Sequence, residues 1–214
     1  YAKKLREMGI RAHAFNPYIP ILSARLNNRD HRKLLIIDGK AAFTGGVNLA
    51  DEYINEYKRF GHWKDTGLMF KGPGVENLTI MFLEMWNAIK KMDTDYTAYF
   101  PEITYTAKQT GYVQPYADNP LDDEHTGENV YMNVLNSARE YAYFITPYLL
   151  ISDEMKKAFT LAARRGVDVR IITPGIPDKK FVYQATRSYY NRLVKKGVRI
   201  FEYTPGFCHA KQCV

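Results

Sequence analysis

The feature that most limits how this chain can fold is an internal repeat. Tyr1, Leu5, Gly9, Ile10, Arg11, Phe15 and Pro17 recur as Tyr189, Leu193, Gly197, Val198, Arg199, Tyr203 and Pro205, at a constant offset of 188. Each copy reads as the end of a helix, a glycine stop and a strand that opens with Ile/Val-Arg. Each then leads to an H-x-K: His31 and Lys33 in the first copy, His209 and Lys211 in the second. Solenoids and arrays repeat every 20–50 residues. So long a period instead predicts two homologous lobes related by a pseudo-twofold axis.

Local patterning fills in the elements. YAKKLREMG (1–9) reads as the end of a helix, and IRAHAF (10–15) alternates like a strand. HRKLLIID (31–38) is strand-like with apolar side chains on both faces, which predicts a place in the middle of a covered sheet. Asp38-Gly39 signals a turn and AAFTGG (41–46) the returning strand. After Gly72-Pro73-Gly74, apolar residues at 75, 78, 82, 85, 86 and 89 predict a helix over 75–90. Residues 92–128, rich in Asp, Thr, Tyr and Pro, read as a connection with a short strand at 111–114. The spacing then predicts helix 128–140, strand 142–146, helix 153–165 with Ser152 as N-cap, strand 167–173, helix 180–196 and strand 198–203.

Strands alternating with helices indicate an α/β fold, an α-β-α sandwich with a central mixed sheet in each lobe. The expected division is a partial first lobe over 1–91, a connection over 92–128 and a partial second lobe over 129–214. Residues 130–188 supply sheet and helices ahead of the second motif, with no counterpart ahead of Tyr1. The chain is therefore expected to be a piece of a longer protein.

In a strand, residues i and i+2 face one side, so each H-x-K presents an imidazole and an ammonium together. Two such pairs suit phosphodiester transfer. One imidazole attacks phosphorus while the other protonates the departing alkoxide and then deprotonates the incoming alcohol. The lysines stabilise charge on the non-bridging oxygens, so neither metal nor cofactor is required. With five histidines and 17 lysines, chance supplies roughly 0.4 H-x-K per chain of this length. Two at matching points of a repeat are far less expected. Behind the first motif, Gly45-Gly46 would let backbone approach a phosphate and Asn48 could donate to an oxygen.

The net charge of +7 suits an anionic partner: phospholipid headgroups, nucleic acid or a phosphate substrate. Two cysteines, Cys208 and Cys213, are too few for a zinc site or a disulfide framework and read as thiols, which suits a reducing compartment. No run of 18 apolar residues predicts a spanning helix, and the segment opening at Tyr1, which reads as helical, is not expected to be a signal peptide.

HRKLLIIDGKAAFTGGVN resembles the H-x-K-x-x-x-x-D, six residues, G-G-x-N signature of the phospholipase D superfamily. HWKDTGLMFKGPGV (62–75), FITPYLLISDEM (144–155) and FCHAKQCV (207–214) are similar to its bacterial cardiolipin synthase branch. The second motif's aspartate would fall five positions after Lys211, beyond Val214.

The resemblance implies a phosphatidyltransferase that joins two phosphatidylglycerol molecules into cardiolipin plus glycerol through a phosphohistidine. It makes His31 and His209 the nucleophile and the acid/base, in an order left open. Lys33, Lys211 and Asn48, with Gly45 and Gly46, become phosphate contacts. Asp38 becomes a brace for the motif strand, and Asp65 a carboxylate that orients a catalytic imidazole. The implied partner is an anionic phospholipid at a membrane surface rather than nucleic acid. The implied place is the bacterial cell membrane, facing the cytoplasm, with any spanning anchor upstream.

A hydrolase or nuclease of the same superfamily, and a phosphate-binding module without catalysis, are the competing readings. His13 and His62 read as packing residues, and His125 as a solvated loop residue. Most of the 17 tyrosines and 11 phenylalanines read as core or interfacial.

Overall fold

Chain order in the computed structural model is α1 (Ala2–Glu7), β1 (Leu34–Ile37), β2 (Ala41–Gly45), a 3-10 turn (Asp51–Ile54), β3 (Gly67–Lys71), α2 (Gly74–Ile89), a second 3-10 turn (Thr97–Tyr99), α3 (Thr126–Ser137), β4 (Tyr141–Ile145), α4 (Asp153–Arg164), β5 (Asp168–Pro174), α5 (Lys180–Val194), β6 (Arg199–Tyr203) and β7 (Gln212–Cys213). The structure describes residues 1–17, 30–89, 95–106, 111–119 and 123–214. Among them, no helix is long and apolar enough to cross a membrane.

The chain forms two compact units that do not follow the expected lobe boundaries. One comprises Tyr1–Thr44 and Met69–Pro115, the other Gly45–Leu68 and Tyr116–Val214. Residues 45–68, read from sequence as part of a lobe over 1–91, therefore pack with the second half of the chain.

In the first unit, strands follow the order β1-β2-β3. Leu34 and Ile36 pack with Ala42, Val75 and Leu78, the last two from α2. Leu35 and Ile37 on the other face are 57% and 46% exposed. This corrects the expectation of a central strand buried on both faces. A run of apolar residues cannot by itself report how many neighbours a strand has, and β1 has one, β2, among the described residues. The buried stripe of α2 is Val75, Leu78, Thr79 and Leu83. The helix is thus rotated from the predicted apolar set, leaving Phe82 44% exposed.

The expected strand at 10–15 is irregular backbone. Its side chains are occupied elsewhere: the Arg11 guanidinium donates to the Tyr99 hydroxyl (3.2 Å) and lies over the Trp86 ring, and His13 meets Trp86 edge-on at 4.9 Å. Alternation marks which side chains are packed, whereas a strand also needs a ladder partner. Residues 199–203, the matching copy, have one in β5. The two helix ends nonetheless share their geometry. Gly9 and Gly197 are left-handed (φ 80° and 96°), and the next residue's N–H returns to the carbonyl five back, Ile10 to Leu5 and Val198 to Leu193. The short strand expected at 111–114 is likewise irregular and pairs with no strand among the described residues.

The second unit is built on a mixed sheet in the order β6-β5-β4-β7, parallel except for the β4–β7 pair. Burial alternates along β5, so Val169 and Ile171 face the helices with Ala142 and Phe144 of β4. Leu135 of α3, Met155, Phe159 and Ala162 of α4, and Leu193 of α5 close that core. The α4 contributions follow the i, i+3, i+4, i+7 stripe of an amphipathic helix: 155, 158, 159 and 162. Ser152 caps α4, accepting from the Met155 N–H at 3.1 Å while its own hydroxyl donates to Glu128 of α3. Ser152→Ala is expected to cost about 1 kcal/mol, seen as a Tm lower by a few degrees in thermal unfolding.

Candidate active site

Both H-x-K motifs stand immediately ahead of a strand rather than inside one. His31–Lys33 leads into β1 and His209–Lys211 into β7. In each, the lysine Nζ donates to the carbonyl of the histidine two residues before it, at 2.5 Å in both cases. His31 is exposed in the first unit and His209 is only 7% exposed in the second. Asp38 sits at the exposed β1–β2 turn with a left-handed backbone (φ 53°), one residue past the end of β1.

The second unit builds the more elaborate surroundings. Residues 61–64 and 205–209 zip together side by side. His62 N–H donates to Pro205 O (2.9 Å), Lys64 N–H to Phe207 O (3.0 Å) and His209 N–H to Lys64 O (2.7 Å). This ladder sets Asp65, the residue after Lys64, against the His209 ring. The Asp65 carboxylate lies 2.7 Å from Nδ1 of His209, with side chains 4% and 8% exposed. A second bond, from the Thr66 N–H (2.8 Å), holds the other carboxylate oxygen.

Burial pushes the Asp65 carboxyl up. The His209 hydrogen bond, the Thr66 amide and the charges of His209 and Lys211 outweigh it and hold the group below the ordinary carboxylate range. It is therefore ionised at neutral pH. A buried carboxylate on Nδ1 fixes the tautomer and aim of an imidazole and leaves Nε2 as its working nitrogen.

The imidazole is walled by rings. Trp63 (5.3 Å between centroids), Phe207 (5.8 Å) and Tyr53 (5.4 Å, edge-on) surround it. Asn55 locks this wall: its Oδ1 accepts from the Trp63 N–H (2.7 Å) and its Nδ2 donates to the Trp63 carbonyl (3.0 Å). Low polarity around the ionised Asp65 carboxylate strengthens its hydrogen bond to the imidazole.

The paired glycines serve this construction in an unexpected way. A Cβ on Gly46 would lie 2.1 Å from the Asp65 Oδ1, and one on Gly45 would lie 2.4 Å from the Thr66 carbonyl. The close approach that they permit in this structure is that of residues 65–67. Gly46→Ala is expected to push the carboxylate off His209 and to lower turnover by about 100-fold, measured beside the unfolding midpoint. Asn48 reaches the same neighbourhood through Tyr53, its Nδ2 donating to the phenol oxygen.

The structure thus brings together Gly45, Gly46, Asn48, Asp65, His209 and Lys211 in one unit, and places His31, Lys33 and Asp38 in the other. Sequence reading did not single out Tyr53, Asn55, Trp63 or Phe207. No periodicity marks them, and their one local signal is nearness to the G-G-x-N and HWKD segments. His62, read as a packing residue, bonds the Tyr203 hydroxyl through Nδ1 at 2.8 Å. Cys208 and Cys213 are free thiols; burial raises the pKa of each.

Residues 131–214 match the family described as cardiolipin synthase, phospholipase D-like domain. An uncharacterized protein of Streptococcus mutans is 52% identical over 211 residues, covering 99% of this chain and 46% of its own length. A cardiolipin synthase of Alkalihalophilus pseudofirmus is 35% identical over 213 residues, covering 99% of this chain and 42% of its own. The chain therefore spans less than half the length of these curated relatives. Among solved structures, the phosphatidylserine synthase of Haemophilus influenzae superposes with a TM-score of 0.53 over 86% of this chain and 51% of that one, at 12% identity, a likeness of fold. Residues 131–214 thus match a phospholipase D-like domain, and nearly the whole chain is similar in sequence to cardiolipin synthases.

Proposed function

We propose that this chain is the catalytic part of a membrane phosphatidyltransferase of the cardiolipin synthase type, joining two phosphatidylglycerol molecules with release of glycerol. The observation that carries this reading is the buried Asp65–His209 pair, 2.7 Å apart and ringed by aromatic side chains. Such a pair readies an imidazole for nucleophilic or acid/base work.

In this reading His31 and His209 divide these roles. One imidazole Nε2 attacks phosphorus of the first lipid, and the P–O bond to glycerol breaks as the other, protonated, imidazole delivers its proton to the leaving oxygen. That imidazole then takes the proton of the second lipid's hydroxyl. The freed oxygen attacks phosphorus and the P–N bond breaks. Lys33 and Lys211 hold the charge on the non-bridging oxygens. The lysines supply this charge, so turnover in excess EDTA is expected to equal turnover without it. Loss in EDTA that zinc or magnesium restores would overturn that point.

The test is incubation of the intact protein with phosphatidylglycerol in mixed micelles, quenched in alkali. Cardiolipin with equimolar glycerol and an acid-labile phosphohistidine is the expected result. Phosphatidic acid in place of cardiolipin would make it a hydrolase. No lipid turnover, with cleavage of DNA, would overturn the reading.

A further inference from the structure

We propose that the Tyr53 hydroxyl is the group that donates to a non-bridging phosphate oxygen beside His209, and that Asn48 acts by aiming that hydroxyl. This rests on the reading of the His209 unit as a phosphodiester-transfer site and assigns a donor within it. The phosphate role drawn from sequence fell to Asn48 itself, yet in the structure its Nδ2 donates to the Tyr53 oxygen.

A phenol carries one O–H and two lone pairs. Accepting the amide N–H occupies a lone pair, sets the C–O rotor and leaves the O–H to be given to an acceptor. Burial, against the Asn48 bond and with the Asp65, Glu52 and Asp178 carboxylates behind it, raises the phenol's pKa, so the donor keeps its proton through neutral pH.

The ring is held firmly. Tyr53 lies on the 3-10 turn Asp51–Ile54, its N–H bonded to the Ala50 carbonyl at 3.1 Å. Its ring packs 4.5 Å from Trp63 and stands edge-on to His209, interplanar angle 84°. Asn55, left-handed at the end of that turn (φ 64°), clamps the Trp63 backbone. A donor beside the imidazole, pre-set by its neighbours, needs no reorganisation when charge develops on phosphate oxygen.

The experiment is a double-mutant cycle in the intact protein: Tyr53→Phe, Asn48→Ala and the two together. It is read by kcat on phosphatidylglycerol micelles and by calorimetric titration with inorganic phosphate, with His209→Asn as control. Tyr53→Phe keeps every ring contact, so its unfolding midpoint should equal the parent's. The expected result is a kcat about 100-fold lower for each single variant, phosphate binding about tenfold weaker, and a double variant no worse than the worse single. A Tyr53→Phe variant within twofold of the parent in both readouts overturns the inference. So does an Asn48→Ala effect that persists undiminished in the phenylalanine background.

Lipid turnover that needs His209 but not the Tyr53 hydroxyl would leave the phosphatidyltransfer reading standing and remove this inference alone. A parent that binds phosphate but turns over no lipid would remove that reading, and the titration would still decide Tyr53. A parent that does neither overturns both.

Discussion

His209→Asn is expected to lower phosphatidyl transfer by roughly five to six orders of magnitude while leaving the fold in place. Removing the group that exchanges bonds with phosphorus or the transferred proton in comparable enzymes costs on that order. Asparagine is chosen because its Nδ2 can stand where Nδ1 of the imidazole stands and donate to Asp65, 2.7 Å away in the parent. The buried carboxylate then keeps a partner. His209→Ala removes the same chemistry but leaves Asp65 without its donor and opens space among Trp63, Phe207 and Tyr53. Breaking a buried pair in this way costs on the order of 3 kcal/mol, so the alanine variant should also melt lower. Kinetics on micelles and a thermal melt of both variants check this. An asparagine variant within tenfold of the parent would remove His209 from the mechanism. His31→Ala is expected to be as damaging to turnover without the stability loss, since His31 is exposed.

Asp65→Asn is expected to lower turnover by about three to four orders of magnitude, the effect seen when an orienting carboxylate becomes an amide. An amide presents a donor as readily as an acceptor to Nδ1, so the imidazole can settle in the wrong tautomer, and the negative charge that stabilises an imidazolium is gone. The same substitution carries a pH signature. The Asp65 carboxyl is held below its ordinary range in the folded protein, so the unfolded chain binds a proton there at higher pH than the folded one does. Its contribution to stability is complete above the unfolded carboxyl pKa and lost as pH falls through the lower, folded value. The parent's melting temperature should therefore drop more steeply in acid than that of Asp65→Asn. Melts at intervals from pH 7 down to about 3 test this. Parallel curves would mean that Asp65 does not carry its charge in the fold.

These outcomes turn on contacts of different legibility. Helix α4, its Ser152 cap, β5, α5 and β6 could be read locally, because a 3.6-residue stripe, a capping serine and a two-residue alternation are imposed by neighbours a few positions away. The glycine stops at 9 and 197 were legible for the same reason. So were the two H-x-K motifs, whose shared place in the repeat singled out His31 and His209.

The expected strand at 10–15 failed because alternation reports packing and says nothing of a ladder partner; Trp86 and Tyr99 take up its side chains instead. The central place assigned to β1 failed on the same ground, since a sheet neighbour is supplied by another part of the chain. Asp65 could be nominated from the HWKD segment, but which imidazole it meets could not: 144 residues separate it from His209. That meeting depends on backbone groups of 61–64 finding theirs in 205–209, and on two glycines leaving room for the carboxylate. Near-neighbour interactions thus made the helices and parallel strands of the second unit, and the two H-x-K motifs, legible along the chain. Only the tertiary structure decided that residues 45–68 complete the surroundings of His209, because pairing between distant segments is settled by which hydrogen-bonding edges and ring surfaces remain to be satisfied when the chain packs.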